Sequence, residues 1–302
     1  MTAALVSSSP LAEAMARIAR EIESLFDALL PVPDDGRAEL FKAMRHAAIG
    51  GGKRLRPLLL VATAEMYGAD RTQALRAALA IEAIHVYSLI HDDLPCMDDD
   101  DLRHGKPTVH KAFGEAAAVL AGDALQSFAF EVLADPATSG DPFTRAELVK
   151  VLAVAGGVGG MAGGQMMDLA GEGQALDLHA ITRLQQLKTG ALLGAGVEMG
   201  AILAKIAPEA RTQLKAYARD IGLAFQIADD LIDHAGDAAK AGKAVGKDAA
   251  AGKQTFVAIV GAERAREQAS MLVEQAIAHL ARHGQEAKLL RAIARYIVER
   301  DH

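Results

Sequence analysis

The chain has 302 residues, half of them hydrophobic but with no tryptophan, and this excess of small and aliphatic side chains favours helices over strands. Its formal net charge of −7 and pI near 5.8 exclude a protein built to coat nucleic acid or an anionic membrane. Because Cys96 is the only cysteine, a disulfide framework and a multi-cysteine zinc site are also excluded, which suits a reducing cytoplasm.

The first predicted helix begins near Leu11, from which apolar residues recur at helical spacing through Met15, Ile18 and Ile22. No signal peptide is predicted, because the preceding residues lack a cationic start followed by an apolar block. Helical spacing continues along the chain, with polar breaks at 135 to 144 and 236 to 254 and without alternating strand patterns. The sequence therefore predicts one all-α domain over residues 1 to 302, a bundle of about ten helices.

A basic cluster follows the early helices in "GGGKRLRP", residues 50 to 57. Arginine can grip phosphate with two parallel hydrogen bonds, whereas lysine acts as a point charge, so the cluster is a candidate phosphate site. Any one of these cations alone could equally be an ordinary surface charge. The basic candidates along the chain are Lys53, Arg54, Arg56, Arg103, Lys106, Lys188, Lys243, Lys247 and Lys253.

An acidic run comes next, with six aspartates between Asp92 and Asp101 directly behind an apolar segment. Residues 81 to 93 are predicted to form a helix on which His85, Ser88 and Asp92 share a face. Pro95 disfavours continuation of that helix, so the chain is predicted to turn and bring Asp98 back toward Asp92. Taken alone, residues 99 to 101 could equally be a solvated acidic loop.

The uncharged stretch from 151 to 167 contains six glycines. It falls short of the roughly 20 apolar residues that span a bilayer, so we predict a buried, closely packed soluble helix and no membrane span. Its glycines do not fit the strict dinucleotide fingerprint and follow no predicted strand, and residues 246 to 253 fail the P-loop spacing by one residue. Close helix approach beside Gln165 and Asp168 explains the glycines better.

A second acidic group lies in "AFQIADDLIDHAGD", where Gln226, Asp229 and Asp233 can share one helix face. Two carboxylate clusters on neighbouring buried helices repel each other unless a cation lies between them. Carboxylates favour a hard ion, and Mg²⁺ is usually held by a few carboxylates together with substrate phosphates. The two clusters therefore predict Mg²⁺ and a diphosphate ligand.

Six ordered motifs resemble those of the trans-isoprenyl diphosphate synthases, most closely the bacterial farnesyl diphosphate synthases. They are "GGKRLRP", "IHVYSLIHDDLPCMDDDDLRHG", "GGQMMDL", "KTG", "FQIADDLID" and "GKDAAAGKQTF". The resemblance implies a helical bundle around a deep cavity, usually a homodimer. It also implies condensation of isopentenyl diphosphate with dimethylallyl or geranyl diphosphate to farnesyl diphosphate, with three Mg²⁺ ions.

The resemblance carries roles to individual positions. By the family pattern, Asp92, Asp98 and Asp229 hold Mg²⁺, with support from Asp93 and Asp233. Arg103, Lys188 and Lys243 match residues that neutralise the allylic diphosphate, and Thr189 and Gln226 match residues that line the allylic site. The isopentenyl diphosphate site is matched by Lys53, Arg56 and His85.

Two positions carry more specific predictions. His104 stands where the family usually has a second arginine for isopentenyl diphosphate, so binding is expected to be weaker and more dependent on pH, unless Lys106 compensates. Tyr87, with the small Ser88 beside it, matches the family position whose ring ends elongation near fifteen carbons. The alternative is that Tyr87 is only a packed core aromatic.

Three competing functions remain open at this point. A geranylgeranyl diphosphate synthase would differ only in product length. A terpene cyclase also uses aspartate-rich Mg²⁺ sites but needs no separate isopentenyl diphosphate site. A non-catalytic subunit of another prenyltransferase need not keep buried charges that cost stability, so two complete aspartate motifs argue against it.

Overall fold

The computed structural model describes residues 9–171, 173–235 and 255–299, and the fold in them is all-α, as predicted. Twelve helices of eight or more residues lie in these ranges, against about ten expected, together with two helices of five residues. The first eight are α1 Pro10–Leu29, α2 Ala38–Ala48, α3 Leu55–Met66, α4 Arg71–Asp92, α5 Val109–Phe113, α6 Glu115–Ala134, α7 Pro142–Gly156 and α8 Met161–Gly171. The others are α9 Leu178–Gln185, α10 Ala191–Leu203, α11 Thr212–Ala235, α12 Phe256–Val260, α13 Ala262–His279 and α14 Lys288–Glu299.

Helix starts follow local capping chemistry. The side chain of Ser9 accepts a hydrogen bond from the Ala12 backbone N–H, and Pro10 occupies the first turn of α1. Asp70 caps α4 in the same way by accepting from the Gln73 N–H. These caps satisfy backbone donors that have no partner within the helix.

Helix α4 runs through the centre of the bundle, packed against α3, α6 and α10. Its residues from Ala77 to Ile84 are buried on every side, as a helix in the middle of a large core must be. Helices α3 and α10 approach closely because Gly200 has no side chain: a Cβ there would lie 2.5 Å from the Leu60 carbonyl oxygen. The core thus buries the middle of α4, and the helix leaves it to end at Asp92.

A two-stranded hairpin follows the acidic run, with β1 at Leu102–Arg103 and β2 at Lys106–Pro107. Both loop residues have positive φ, 52° at His104 and 75° at Gly105, as tight hairpin loops require. Arg103 pairs with Lys106 across the hairpin. Strands of two residues are too short to show an alternating pattern, so the sequence did not predict them.

The prediction of one buried helix over residues 151 to 167 is wrong. Helix α7 ends at Gly156, a turn follows, and α8 begins at Met161. Three apolar side chains of this stretch are exposed, to 58% at Val154, 90% at Val158 and 61% at Met166. The paired glycines break the helix because they carry no β-carbon to restrict the backbone.

Three helical stretches are long and apolar enough to cross a membrane by length and composition, Arg71–Asp92, Glu115–Ala134 and Pro142–Gly171. In the first, 67% of the apolar window is buried inside the protein, whereas in the other two a smaller share of the window is buried. The expectation of no membrane span therefore stays a prediction.

Candidate active site

A cavity of about 1070 Å³ opens where α4 and α11 end, and most of the predicted site residues line it. Tyr87 and Ser88 do not line this cavity, although both lie on α4 beside residues that do. Lys243 lies outside the described residues. The predicted site residues in the cavity wall are Lys53, Arg56, His85, Asp92, Asp93, Asp98, Arg103, His104, Lys188, Thr189, Gln226, Asp229 and Asp233.

The acidic run folds back on the end of α4. The Asp98 N–H donates to the Asp92 carbonyl oxygen at 2.9 Å, and the Asp100 N–H donates to the Asp93 carbonyl oxygen at 3.3 Å. The turn at Pro95 therefore returns Asp98 to Asp92, as the proline predicted. Both side chains line the same cavity as Asp229 and Asp233 of α11.

Negative charge accumulates here at an energetic cost. The pKa of Asp92 is raised to about 6, chiefly by burial and also by the neighbouring Asp98 and Asp93, while Lys188 and Arg103 act against the rise. Burial also raises the pKa of Asp93, which Arg103 opposes by donating from Nη2 at 2.5 Å and Nε at 3.0 Å. A cation beside these carboxylates would relieve the cost.

The carboxylate oxygens of the cavity fit Mg²⁺ as a partial set of ligands. Within the described ranges, no three Asp, Glu, His or Cys side chains form a preformed metal cluster. The oxygens of Asp92 and Asp229 nevertheless face one cavity, and oxygen is the ligand that Mg²⁺ prefers. Such a site suits an ion that takes the rest of its coordination from water and substrate phosphates.

A basic cluster also lines the cavity. It contains Lys53, Arg56 and His85, with Arg56 half-buried on the first turn of α3. Burial, then the positive charge of Arg56 and Arg54, holds the pKa of His85 well below its usual value. His85 is therefore a neutral imidazole near pH 7, able to donate one hydrogen bond and accept another.

A buried ion pair fixes this part of the cavity lining, and nothing in the sequence indicated that its two members pair. Arg54 Nη1 donates to Glu82 Oε1 at 2.7 Å, with both side chains less than 5% exposed, and Arg54 Nη2 donates to the Ala48 carbonyl oxygen at 2.6 Å. Arg54 also has a positive φ of 50° at the start of α3. The sequence did contain one signal of a buried charge. Glu82 is the one acidic residue in the apolar run "ALAIEAIHVYS", and a charge buried in such a run needs a partner of opposite charge.

His104 lies at the mouth of the cavity, on the hairpin loop facing the glycine-rich loop. A Cβ on Gly51 would lie 3.2 Å from its Cδ2, so the imidazole packs directly on that glycine. Partial burial, then the charges of Arg103 and Arg54, lowers the pKa of His104. Nearby, Lys106 Nζ donates to the Ile49 carbonyl oxygen at 3.0 Å, so this cation lies beside the same loop.

Lys188 and Thr189 lie on a π-helical turn, Gln186–Gly190, between α9 and α10. Such turns widen a helix locally and are frequent at functional sites. Lys188 Nζ donates to Asp168 Oδ2 at 2.7 Å. A Cβ on Gly164 would lie 2.2 Å from the backbone nitrogen of Lys188. The small residues of α8 therefore allow the close approach predicted beside Asp168.

Thr189 belongs to a chain of side-chain hydrogen bonds that the sequence did not indicate. Thr189 Oγ1 donates to Gln226 Oε1 at 3.0 Å, and Gln226 Nε2 donates to Asp230 Oδ1 at 3.1 Å. Asp230 was not among the predicted site residues, although its neighbour Asp229 was. Asp230 lies four residues after Gln226 and so fits the same helix face, but the predicted polar stripe comprised only Gln226, Asp229 and Asp233.

Comparison with known proteins agrees with this geometry. Residues 37–296 match the family model described as "Polyprenyl synthetase". The chain is 44% identical over 296 residues to a farnesyl diphosphate synthase of Escherichia coli, covering 96% of this chain and 97% of that one. A farnesyl diphosphate synthase of Geobacillus stearothermophilus is 42% identical over 269 residues, covering 89% of this chain and 91% of the relative.

Solved structures give the same result. An apo crystal structure of an FPP/GFPP synthase from Zymomonas mobilis superposes with a TM-score of 0.88 at 57% identity, covering 95% of this chain and 98% of that one. A geranyltransferase from Helicobacter pylori, complexed with magnesium and isoprenyl diphosphate, superposes with a TM-score of 0.83 at 34% identity, covering 96% and 97%. The cavity with its two aspartate motifs, the matched family model and these full-length similarities lead to one conclusion: the chain belongs to the polyprenyl synthetase family.

Proposed function

We propose that the protein is a prenyltransferase of the farnesyl diphosphate synthase type, which joins isopentenyl diphosphate head to tail to dimethylallyl or geranyl diphosphate. One observation carries the proposal: the same cavity is lined by two carboxylate clusters and by a separate basic cluster. Two diphosphates with different tasks need two such sites. The similarity to farnesyl diphosphate synthases over nearly the whole chain supports this assignment.

In the proposed reaction the allylic diphosphate binds at the acidic end of the cavity. Asp92, Asp98 and Asp229 would hold Mg²⁺, supported by Asp93 and Asp233, and the ions would neutralise charge on the departing diphosphate. Arg103 and Lys188 lie where they can add positive charge to the same leaving group. Lys243, in the same proposed role, lies outside the described residues. Three ions follow from the family resemblance.

The second substrate binds at the basic cluster. Lys53 and Arg56 would hold the diphosphate of isopentenyl diphosphate, and neutral His85 would donate a hydrogen bond to it. The double bond then attacks the allylic carbon as the bond to diphosphate breaks, forming a carbon–carbon bond. The proton lost from the product goes to the released diphosphate, and exclusion of water prevents capture of the cation.

Product length is the finer part of the proposal. Tyr87 is 9% exposed, and its ring packs edge-on against His91 with centroids 5.8 Å apart. It lies on α4 beside Val86, Leu89 and Ile90, which line the cavity, and by the family pattern a ring at this position ends a fifteen-carbon chain. The relative named FPP/GFPP synthase provides a specific reason to test longer products as well.

We also propose that the enzyme is a cytoplasmic homodimer. Apolar side chains are exposed on consecutive elements, to 42% at Val119 and 56% at Leu120 on α6 and to 90% at Val158 after α7. Helices α6 and α7 pack side by side, so these residues belong to neighbouring surface elements. A monomer rarely leaves so many large apolar groups in water without a partner.

Incubation with isopentenyl diphosphate, geranyl diphosphate and Mg²⁺ should yield farnesol after dephosphorylation, detected by chromatography. Excess EDTA should abolish the product, and adding Mg²⁺ back should restore it, since the carboxylates alone repel a diphosphate. A run with dimethylallyl diphosphate as primer serves as the parallel control. If neither primer is extended, the protein is not a prenyl chain synthase.

His104→Arg should lower the Michaelis constant for isopentenyl diphosphate by up to roughly tenfold at pH 8, because a charged guanidinium binds phosphate more strongly than an imidazole. The pKa of His104 is lowered, so the imidazole is neutral at pH 7 to 8 and gains charge only below its usual pKa near 6.5. The difference in Michaelis constant between wild type and His104→Arg should therefore narrow toward pH 6.

His179→Arg is the control, because it adds the same charge on an exposed part of α9 outside the cavity; it should leave the Michaelis constant for isopentenyl diphosphate unchanged. Equal Michaelis constants for isopentenyl diphosphate in the wild type and His104→Arg from pH 6 to 8 would contradict a role of His104 in binding this substrate.

Tyr87→Ala should shift the product distribution beyond farnesyl diphosphate, since removing the ring opens space behind the cavity wall. Chromatography of the dephosphorylated products measures the shift, and thermal unfolding measures the cost of the new cavity. Phe128→Ala removes a comparably buried aromatic, 8% exposed, from α6 and should cost stability without lengthening the product. A Tyr87→Ala enzyme that is destabilised but still stops at fifteen carbons would make Tyr87 a core residue only.

Sedimentation equilibrium should give twice the chain mass of 31.6 kDa. Leu120→Glu should shift the equilibrium toward monomer, because burying an unpaired carboxylate in an apolar interface is costly. Val32→Glu places the same charge at an exposed loop position and should leave the dimer intact. A wild-type mass of one chain would refute the dimer.

A further inference from the structure

The carboxylate of Asp230 joins three separate segments of the active-site wall. Its Oδ2 accepts from Gln185 Nε2 and from the backbone N–H of Phe256, both at 3.0 Å, and its Oδ1 accepts from Gln226 Nε2 at 3.1 Å. The side chain is buried, with the residue 7% exposed. Asp230 therefore links the end of α9, the middle of α11 and the start of α12.

These contacts fix the direction of every hydrogen bond that leads to Thr189. A backbone N–H can only donate, so the oxygen facing Phe256 must accept, and an ionised carboxylate accepts at both oxygens. Gln226 must then turn its amide nitrogen toward Asp230 and its amide oxygen toward Thr189. Thr189 Oγ1 is left to donate its single proton to that oxygen, at 3.0 Å.

The consequence concerns the face that Thr189 presents to the cavity. Because its proton is used in the bond to Gln226, the hydroxyl can offer a ligand only lone pairs. Thr189 lines the cavity next to Lys188, and its partner Gln226 lies one turn before Asp229 on α11. A lone pair fixed in this direction stabilises positive charge that develops beside it, whereas an O–H dipole pointed the same way would oppose that charge.

We propose that Asp230 is a positioning residue that sets the direction of the Asp230–Gln226–Thr189 hydrogen bonds, so that Thr189 presents a lone pair to the allylic carbon as its bond to diphosphate breaks. The inference rests on the proposed prenyl transfer and adds a residue to it. It gives the two adjacent aspartates different tasks. Asp229 serves the metal, and Asp230 acts through Gln226 on the reacting carbon.

Asp230→Asn tests the direction without removing the anchor. The asparagine oxygen still accepts from the Phe256 N–H and from Gln185 Nε2. Its amide nitrogen now faces Gln226 Nε2, so two N–H donors would point at each other. Gln226 must flip, and Thr189 becomes the acceptor, with its proton free to point into the cavity. We expect kcat for farnesyl diphosphate formation to fall roughly tenfold or more, with the Michaelis constant for geranyl diphosphate within twofold of the wild type.

A double-mutant cycle separates this effect from altered metal binding or folding. In a Thr189→Val enzyme there is no hydroxyl to reorient, so adding Asp230→Asn should lower kcat less than threefold further. If Asp230 acts on Mg²⁺ or on stability, its full effect will persist in that background, and the proposal is wrong. Asp220→Asn is the matched control, because it removes another buried carboxylate of α11, hydrogen-bonded to His279 and away from the cavity, and should leave kcat unchanged.

A compensating pair provides the opposite test. In the double variant Asp230→Asn with Gln226→Glu, the carboxylate at position 226 accepts from the asparagine amide at one oxygen and from the Thr189 hydroxyl at the other. Thr189 therefore donates its proton in the original direction. Gln226→Glu alone sets two carboxylates against each other. The double variant should exceed both single variants in kcat, and a value below both would overturn the proposal. A wild-type enzyme that makes no condensation product refutes the proposed function itself, whereas an active wild type matched by Asp230→Asn refutes only the role of Asp230.

Discussion

The desolvation of carboxylates at the ends of two helices is the constraint on which the rest of the site depends. Asp92 ends α4, and Asp229 and Asp233 lie in the last two turns of α11. A helix carries partial negative charge at its C-terminus, so these side chains add charge at the unfavourable end. Burial, and then the neighbouring carboxylates, also raises the pKa of Asp92. Such an arrangement is stable in the charged form only when cations lie close by.

The protein meets part of this need with its own side chains. Arg103 pairs with Asp93, and Lys188 pairs with Asp168 at 2.7 Å. Both cations line the cavity, so the pairs hold positive charge at the place where a diphosphate would bind. The buried Arg54–Glu82 pair works differently, because its two charges neutralise each other and the pair fixes the start of α3 between Lys53 and Arg56. Charge is thus arranged before the substrate arrives, which lowers the reorganisation needed during reaction.

The sequence predicted the parts of the fold and site that depend on local chemistry. Helical spacing indicated the bundle, and Pro95 indicated the turn that returns Asp98 to Asp92, since both effects act within a few residues. The break at Gly157 was missed because an apolar composition does not reveal where paired glycines release the backbone. The Arg54–Glu82 pair was missed for another reason: its members lie 28 positions apart, and only the packing of α3 on α4 brings them together.

Asp230 shows why adjacent residues of one motif need not share one task. Successive residues on a helix point about 100° apart, so Asp229 and Asp230 make different contacts although both line the cavity. Asp229 faces the cavity shared with Asp92, while Asp230 is directed to Gln226, to Gln185 and to the start of α12. A motif read as a metal-binding pattern therefore also contains the anchor of a hydrogen-bond chain. Because a backbone N–H that cannot reverse fixes that chain, the Thr189 hydroxyl donates to Gln226 and leaves only its lone pairs to the cavity.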